Sequence, residues 1–411
     1  MSGETKPARV AAIDFVRGVA LCGILAINIT GFWGPTLAGF DPHWPRVEPG
    51  GDGWYLIAFV LFEGKMRALF TLLFGASMIL FITSADRRGL WGPGLQARRL
   101  LWLALFGYAH YLLLWWGDIL FAYAACGMAA LLLCRAPAAL LVAMGVALFA
   151  VSHLLDTIGA IWGIGIEQAV LAGHGAAADR ADEAAMMARV AASIAADTRI
   201  QAAGFAEAVR LRVAQAPWLP LQTTGSTFTE TLPLMLIGMG LHQLGLWNGG
   251  WSARALRRTA IAGIGAGGAL TLALAWWIAW IGFAPRAMFA VMQTLTALPH
   301  LAMALGYGAA LVLAWPHLAR FAPGRALAAA GRTAFTNYLG TTLVMCAVFS
   351  GWGLGWGSGQ PHALPRGLLP LFVPLGWALM LVWPQAWLAR FGQGPLEALW
   401  RRLTFIGVRR I

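Results

Sequence analysis

The sequence predicts an all-α fold, that of a polytopic membrane protein with about ten transmembrane helices and both termini in the cytoplasm. Of its 411 residues, 59% are hydrophobic and only 11% are charged, whereas a soluble domain carries about 25% charged residues. Long apolar runs recur along the chain, and basic residues are concentrated in alternate loops between them. This composition excludes a soluble globular domain, a disordered chain and a coiled coil.

Ten apolar runs, each bounded by glycine, proline or charge, approach the length of about 20 residues that a membrane helix needs. They lie at about 10–30, 55–83, 99–116, 119–134, 138–160, 228–247, 259–282, 287–314, 333–350 and 367–389. The first run contains Asp14 and Arg17 and lacks a small-residue cleavage site, so we expect it to remain as the first span and not to act as a signal peptide.

The net charge of +12 has a simple topological interpretation. Arginines cluster in every second loop, for example at Arg87, Arg88, Arg257 and Arg258. Since cytoplasmic loops carry the excess of Lys and Arg, the alternation requires an even number of spans with both termini inside. We therefore expect no nucleic-acid partner. The four cysteines lack CxxC spacing, so neither a disulfide framework nor a metal site is expected.

One long polar stretch, 172–222, separates a five-span half at 1–171 from a second five-span half at 223–411. This stretch is rich in alanine and in charges of both signs, and Met186, Val190 and Ile194 recur at helical spacing. The pattern predicts one or two amphipathic helices on the external surface.

Charged side chains inside the apolar runs are candidates for function, because each costs about 2.5–3.5 kcal/mol at the bilayer centre. Asp14 and Arg17 share a face of the first helix, and a structural ion pair is the alternative interpretation. Gly18 would let another helix approach closely. Asn28, near the external end of this helix, could equally form a packing hydrogen bond.

Three later segments also place polar groups in or beside apolar runs. Lys65 and Arg67 fall near the external interface, where Lys65 could snorkel, but Arg67 has apolar sequence on both sides. Arg332 and Asn337 open the ninth run, and a cytoplasmic anchor is the alternative role for Arg332. The third segment contains His110 and Asp118.

His110 lies in the third run and Asp118 follows at the external turn. On a straight helix they would share a face about 12 Å apart and would not touch, but both could line one polar cavity. Histidine can take and return a proton near neutral pH. A structural hydrogen bond to a carbonyl is the alternative for a single buried histidine.

Five segments together, in order and spacing across roughly 9–407, resemble the DUF418 (YeiB-like) bacterial membrane proteins. The 172–222 stretch carries none of this resemblance. The segments are RVAAIDFVRGVALCGILAIN, EGKMRALFTLLFGASMIL, RRLLWLALFGYAHYLLLWWGDILFAYAACG, AAGRTAFTNYLGTTL and FGQGPLEALWRRLTF.

The resemblance implies a relationship to transmembrane acyltransferases, the acyltransferase-3 O-acetylases and the lysosomal heparan-alpha-glucosaminide N-acetyltransferase among them. The shared motif is D-x-x-R-G, here Asp14, Arg17 and Gly18. Acyltransferase-3 proteins have a histidine where this chain has Asn28. The lysosomal enzyme also has asparagine there, and its catalytic histidine lies in the following loop. The nearest loop histidine here, His43, differs in spacing and flanks, so the base is either His110 or His43.

The implied activity moves an acyl group from cytoplasmic acyl-CoA, most simply acetyl-CoA, to an external hydroxyl or amine of a small molecule or glycan. The resemblance implies a location in the bacterial inner membrane, in contact with membrane lipid, and a homo-oligomer is compatible with it. Direct transfer is favoured because His110 lacks a nearby Ser or Cys nucleophile. The implied catalytic residues are His110, Asp118 and Asn28, and the implied substrate-binding residues are Asp14, Arg17, Lys65, Arg67, Arg332 and Asn337, with Arg98 and Arg99 as further phosphate ligands.

Two other functions remain open at this point. A transporter or lipid flippase would also use two five-span halves with helices interrupted by glycine and proline. A scaffold protein would need its buried charges only as structural pairs.

Overall fold

A computed structural model describes residues 8–48 and 50–408. Seventeen α-helices and no strand occur within these ranges. The helices are α1 Ala8–Trp33, α2 Gly51–Leu61, α3 Lys65–Asp86, α4 Gly92–Leu113, α5 Leu120–Leu131, α6 Ala138–Leu171, α7 Ala177–Ala202, α8 Phe205–Gln215, α9 Leu219–Gln243, α10 Ala253–Trp280, α11 Pro285–Ala290, α12 Ala297–Leu318, α13 Ala322–Arg332, α14 Ala334–Phe349, α15 Phe372–Leu381, α16 Pro384–Phe391 and α17 Pro395–Phe405. The all-helical membrane class is therefore confirmed.

Within the described ranges, six segments are long and apolar enough to cross a membrane. They are Ala11–Trp33, Gly51–Asp86, Ala138–Leu171, Ala253–Trp280, Ala297–Leu318 and Arg366–Phe391. The helices α5 and α14 are apolar but have only 12 and 16 residues. At 1.5 Å per residue they are about 18 and 24 Å long, shorter than the hydrocarbon core of about 30 Å. The chain ends, predicted to be cytoplasmic, lie outside the described residues at 1–7 and 409–411.

Two predicted spans are interrupted. The run at 55–83 is broken between α2 and α3 at Gly64, whose φ of +69° favours a residue without a Cβ. The run at 287–314 contains a π-helical turn, Val291–Leu295, between α11 and α12. The polar stretch contains two helices, α7 and α8.

Helix α1 lies at the centre of the bundle and packs against α3, α12, α13, α14 and α15. Its close approach to α13 depends on two glycines. A Cβ on Gly18 would overlap the carbonyl oxygen of Leu327, and one on Gly331 would overlap the carbonyl oxygen of Asp14. The close approach expected at Gly18 is thus present. Helices of the two predicted halves pack on each other here and between α3 and α9.

We expect Gly331→Ala to lower the melting temperature of the purified protein in detergent, because the new methyl group would push α13 away from α1. Overpacking of this kind costs about 1–3 kcal/mol. The matched control is Gly340→Ala on α14, where a Cβ would meet open space. If both variants melted at the same temperature, the glycine contact would not hold these helices together.

Candidate functional site

A cavity of about 210 Å³ lies between α1, α3, α4, α5, α13, α14 and α17, and we call it the basic cavity. Three arginines and a single carboxylate contribute to its wall. The inner wall is mainly aromatic and aliphatic. Its lining residues are Arg17, Leu21, Ile24, Phe70, Phe74, Ser77, Met78, Gln96, Arg99, Leu103, Ile119, Leu120, Tyr123, Gly331, Arg332, Ala334, Phe335, Tyr338, Glu397 and Trp400.

Arg17 is held in place by groups from three helices. Its guanidinium donates to Asp14 Oδ1 at 2.9 Å, to the Gly331 carbonyl at 3.3 Å and to Ser77 Oγ at 2.7 Å. Asp14 orients Arg17 and does not line the basic cavity. Asp14 and Arg17 thus form the ion pair that the sequence offered as the structural alternative. Arg17 also lines the basic cavity.

Arg99 connects the basic cavity to a wider opening. Its guanidinium lies over the rings of Phe81 and Trp400, at 4.8 and 4.1 Å from their centroids. Beyond Arg99, two adjoining cavities of about 300 and 760 Å³ form what we call the vestibule, and Arg88 and Arg401 line both of them. Arg98 instead donates to the Ile406 carbonyl.

The one carboxylate of the basic cavity already accepts hydrogen bonds from the protein itself. Glu397 accepts the backbone N–H groups of Phe335 and Thr336 at 2.8 and 3.1 Å, and also the Thr336 hydroxyl. It therefore caps the N-terminus of α14, where a negative charge is favourable. The arginines of the cavity and vestibule keep a surplus of positive charge.

A second cavity, of about 1020 Å³, opens near the other end of α3, and we call it the polar cavity. Arg67 lines it and pairs with Glu230 at 3.0 and 3.1 Å. Phe70, three residues further along α3, lines the basic cavity. Three residues span about 4.5 Å of helix axis, so residues that line the two cavities lie within one helical turn of each other on α3.

The thin partition between the cavities is closed by hydrogen bonds. Thr71 Oγ1 and the Tyr123 hydroxyl lie 2.6 Å apart, and Thr71 also donates to the Arg67 carbonyl at 2.8 Å. Both side chains are buried. These two side chains thus link the lining of the basic cavity, at Tyr123, to the backbone of Arg67, which lines the polar cavity.

His110 and Asp118 form a buried hydrogen-bonded pair, with His110 Nδ1 and Asp118 Oδ1 2.9 Å apart. The predicted separation of about 12 Å on one straight helix is wrong, because α4 ends at Leu113 and the chain reverses before α5. Asp118 also accepts the Phe121 N–H at 2.8 Å and so fixes the start of α5.

The turn that brings Asp118 back to His110 is held by a residue of the polar 172–222 stretch. Arg212 on α8 donates to the carbonyls of Leu112 and Leu114, at 2.9 and 3.1 Å. Burial of this guanidinium lowers the pKa of Arg212. The 172–222 stretch therefore contributes to the geometry of the His–Asp pair.

Neither member of the pair lines the basic cavity. The His110 ring packs against Tyr338, at 5.2 Å between centroids, and Tyr338 does line the cavity. His110 Nε2 is buried and has no hydrogen-bond partner among the described residues. One tyrosine ring therefore separates this nitrogen from the basic cavity.

The remaining predicted site residues are not brought together. Lys65 is fully buried and donates to the Phe59 carbonyl at 2.5 Å, so it does not snorkel. Asn337 donates to the carbonyls of Ala330 and Met380 and accepts from Trp383, contacts that tie α14 to its neighbours. Asn28, half-buried on α1, lines neither cavity, and the same is true of Lys65, Asn337 and His43. His43 Nε2 lies 3.5 Å from Asp52.

Sequence reasoning missed Glu230, Tyr123, Glu397 and Trp400. Glu230 carried a usable signal, since an acid inside the sixth apolar run should have been singled out as expensive to bury. Tyr123 and Trp400 gave none, because aromatic residues are common in membrane helices. Glu397 gave none because it lies outside the ten apolar runs. Among the described residues, no group of three or more His, Cys, Asp or Glu could hold a metal ion.

Comparison with known proteins identifies the family. The family model described as "Protein of unknown function (DUF418)" matches residues 241–407. The uncharacterized protein YeiB of Escherichia coli (strain K12) is 33% identical over 409 residues, which cover 96% of each chain. The chain belongs to the DUF418 family. The similarity to YeiB extends beyond the region that the family model matches and covers almost the whole chain.

Two further DUF418-like relatives come from bacilli. The uncharacterized protein YxaH of Bacillus subtilis (strain 168) is 27% identical over 97% of this chain and 94% of its own. An uncharacterized 39.9 kDa protein of Bacillus acidopullulyticus is 37% identical over 29% of this chain and 32% of its own. No solved structure is significantly similar.

We expect Asp118→Asn to lower the unfolding free energy by about 1–3 kcal/mol, because His110 loses its charged partner in a buried site. Asp118→Ala should cost about 1 kcal/mol more, since it also removes the cap of α5. Melting temperatures in detergent would show this order. Asp156→Asn, at an exposed carboxylate without an ion pair among the described residues, is the control; an equal loss there would contradict the assignment.

Proposed function

We propose that this protein is a membrane-embedded acyltransferase that moves an acyl group from acyl-CoA to a hydroxyl or amine on the opposite side of the bacterial inner membrane. The observation that carries the proposal is the approach of two unlike cavities, from the two ends of α3, to within one helical turn. The basic cavity suits an anionic donor, and the polar cavity suits an acceptor. Chemistry at the partition would let an acyl group cross without carrying CoA with it.

The donor site follows from charge and shape. CoA carries three phosphate groups at one end and a narrow pantetheine arm at the other. In the proposal the phosphates bind Arg88, Arg401 and Arg332, since guanidinium groups match phosphate geometry. The arm extends past Arg99 and Arg17. The acyl group, acetyl in the simplest case, lies against the aromatic wall of the basic cavity.

The basic end is assigned to the cytoplasm because Lys and Arg accumulate there. We propose that α4, α5, α9 and α14 cross the membrane in addition to the six apolar segments, which gives ten spans with both termini inside. Of these four helices, α4 and α9 are the more polar because they face the cavities and their neighbours more than lipid. Their sequences need not be as apolar as those of lipid-facing helices.

His110 is the proposed general base, and Asp118 would orient its imidazole and stabilise the imidazolium. The acceptor oxygen or nitrogen attacks the thioester carbonyl, its proton passes to His110, and the CoA sulfur leaves and receives that proton. A rotation of the Tyr338 ring would connect Nε2 with the basic cavity. Asn28 has no place in this geometry because it lines neither cavity.

We expect the purified protein to bind CoA, and Arg401→Gln to weaken binding by about tenfold, which is the loss of one charged hydrogen bond of about 1.5 kcal/mol. Isothermal titration calorimetry measures the change. Arg254→Gln, an equally exposed arginine on α10 outside these cavities, is the matched control. Equal losses in both variants, or no CoA binding at all, would overturn the donor site.

We expect His110→Gln to slow acyl transfer by about 10²–10⁴-fold while the affinity for CoA stays unchanged, because only the proton transfer is lost. The readout is radiolabelled acetyl transfer from acetyl-CoA in inverted membrane vesicles. His43→Gln should transfer at the wild-type rate. Full activity of His110→Gln together with loss in His43→Gln would reverse the assignment of the base.

A carrier is the second candidate, and one observation favours it. Two cavities that open toward opposite ends of the bundle across a thin partition are typical of alternating access. The two functions differ in what becomes of the thioester. In sealed vesicles a transferase moves the acyl group to the acceptor and releases CoA, whereas a carrier accumulates solute and leaves acetyl-CoA intact.

A further inference from the structure

The polar cavity is a hydrophilic space in an otherwise apolar bundle. Hydroxyl, amide and titratable side chains from α6, α9 and the turn before α12 surround it. Such a lining retains water or binds a polar molecule, because its groups need hydrogen-bond partners. The polar members are Arg67, Ser152, His153, Asp156, Ser226, Thr227, Thr229, Glu230, Arg286, Gln293 and Thr294.

The positive charges of this cavity are all compensated. Arg67 pairs with Glu230, and Arg286 pairs with Asp182 and Glu183 at 2.5 and 2.6 Å. Asp156 adds a further carboxylate to the lining. Among the described lining residues each guanidinium is already paired with a carboxylate, although Arg67 Nε has no hydrogen-bond partner. A phosphate or carboxylate group would therefore compete with these carboxylates and face negative charge, in contrast to the basic cavity.

The backbone is specialised at the same place. The π-helical turn Val291–Leu295 lines the cavity through Met292, Gln293 and Thr294. Thr294 Oγ1 donates to the His153 carbonyl at 2.8 Å and so fixes the wide turn against α6. Turns of this type are frequent at functional sites in proteins.

An apolar patch completes the lining. Phe40 and Phe289 both face the cavity, with their ring centroids 5.7 Å apart. An aromatic wall opposite neutral hydrogen-bonding groups fits a molecule that has one apolar face and several hydroxyl groups. The volume of the polar cavity, about 1020 Å³, is large enough for one or two sugar rings.

From this combination we infer that the polar cavity binds an uncharged, polyhydroxylated molecule, such as a sugar or the sugar headgroup of a glycolipid, and rejects phosphorylated forms. This ligand would be the acyl acceptor, which rests on the proposed function. The binding itself is independent of CoA and of acyl transfer.

The test uses a cysteine in the cavity. Gln293 is exposed and lines the polar cavity, so Gln293→Cys should react from outside with a membrane-impermeant methanethiosulfonate reagent in right-side-out vesicles. Trehalose in the buffer, or glucosyl-diacylglycerol in the vesicle membrane, should slow the reaction, by about tenfold at about ten times the Kd. Protection by trehalose indicates a soluble ligand, and protection by glucosyl-diacylglycerol indicates the headgroup of a lipid.

Two controls make the outcome decisive. Ala192→Cys, exposed on α7 away from the cavity, should react at one rate with or without either probe. Glucose 6-phosphate should leave the rate of Gln293→Cys unchanged. Equal protection by glucose 6-phosphate, protection of Ala192→Cys, or no protection by either uncharged probe would overturn the inference. Titration with CoA measures binding to the basic cavity and vestibule. A lack of CoA binding would therefore contradict the proposed donor site and not the sugar site of the polar cavity.

Discussion

The three-way contact of Arg17 is the interaction on which the rest of the bundle depends. One guanidinium joins α1 to α3 and α13, and these helices form much of the wall of the basic cavity. Keeping such a charge among apolar helices requires both a carboxylate and neutral acceptors in the right places. The glycine contact between α1 and α13 brings the Gly331 carbonyl within reach, so packing and charge compensation support each other.

Much of the fold could be predicted from sequence, because hydrophobic length and charge distribution report directly on the membrane. The helical class, the two helices α7 and α8 of the polar stretch, and the Asp14–Arg17 pair were all visible in this way. The His110–Asp118 contact was not, because it depends on a chain reversal that no periodicity announces. Lys65 and Asn337 were predicted to bind substrate, but they line neither cavity. The sequence could not show this, because a polar side chain in an apolar run can instead donate its hydrogen bonds to nearby backbone carbonyls.

The difference between six apolar segments and ten proposed spans also has a physical cause. Hydropathy measures the preference of a side chain for lipid, yet helices that line internal cavities contact mainly protein and water. The helix α9 shows this clearly, since Thr227, Thr229 and Glu230 face the polar cavity from it. A helix of this kind is stabilised by its neighbours, and its own apolar content says little about whether it crosses the bilayer.

The side chains between the cavity linings have an electrical consequence in the proposed topology. If the two cavities open to opposite sides of the membrane and hold water, the transmembrane voltage would fall mainly across Thr71, Tyr123 and the Arg67–Glu230 pair. A full elementary charge moved through 100 mV changes in energy by about 2.3 kcal/mol. Any displacement of these charged groups would therefore be coupled to the energised state of the cell, and a gap in this layer would dissipate its ion gradients.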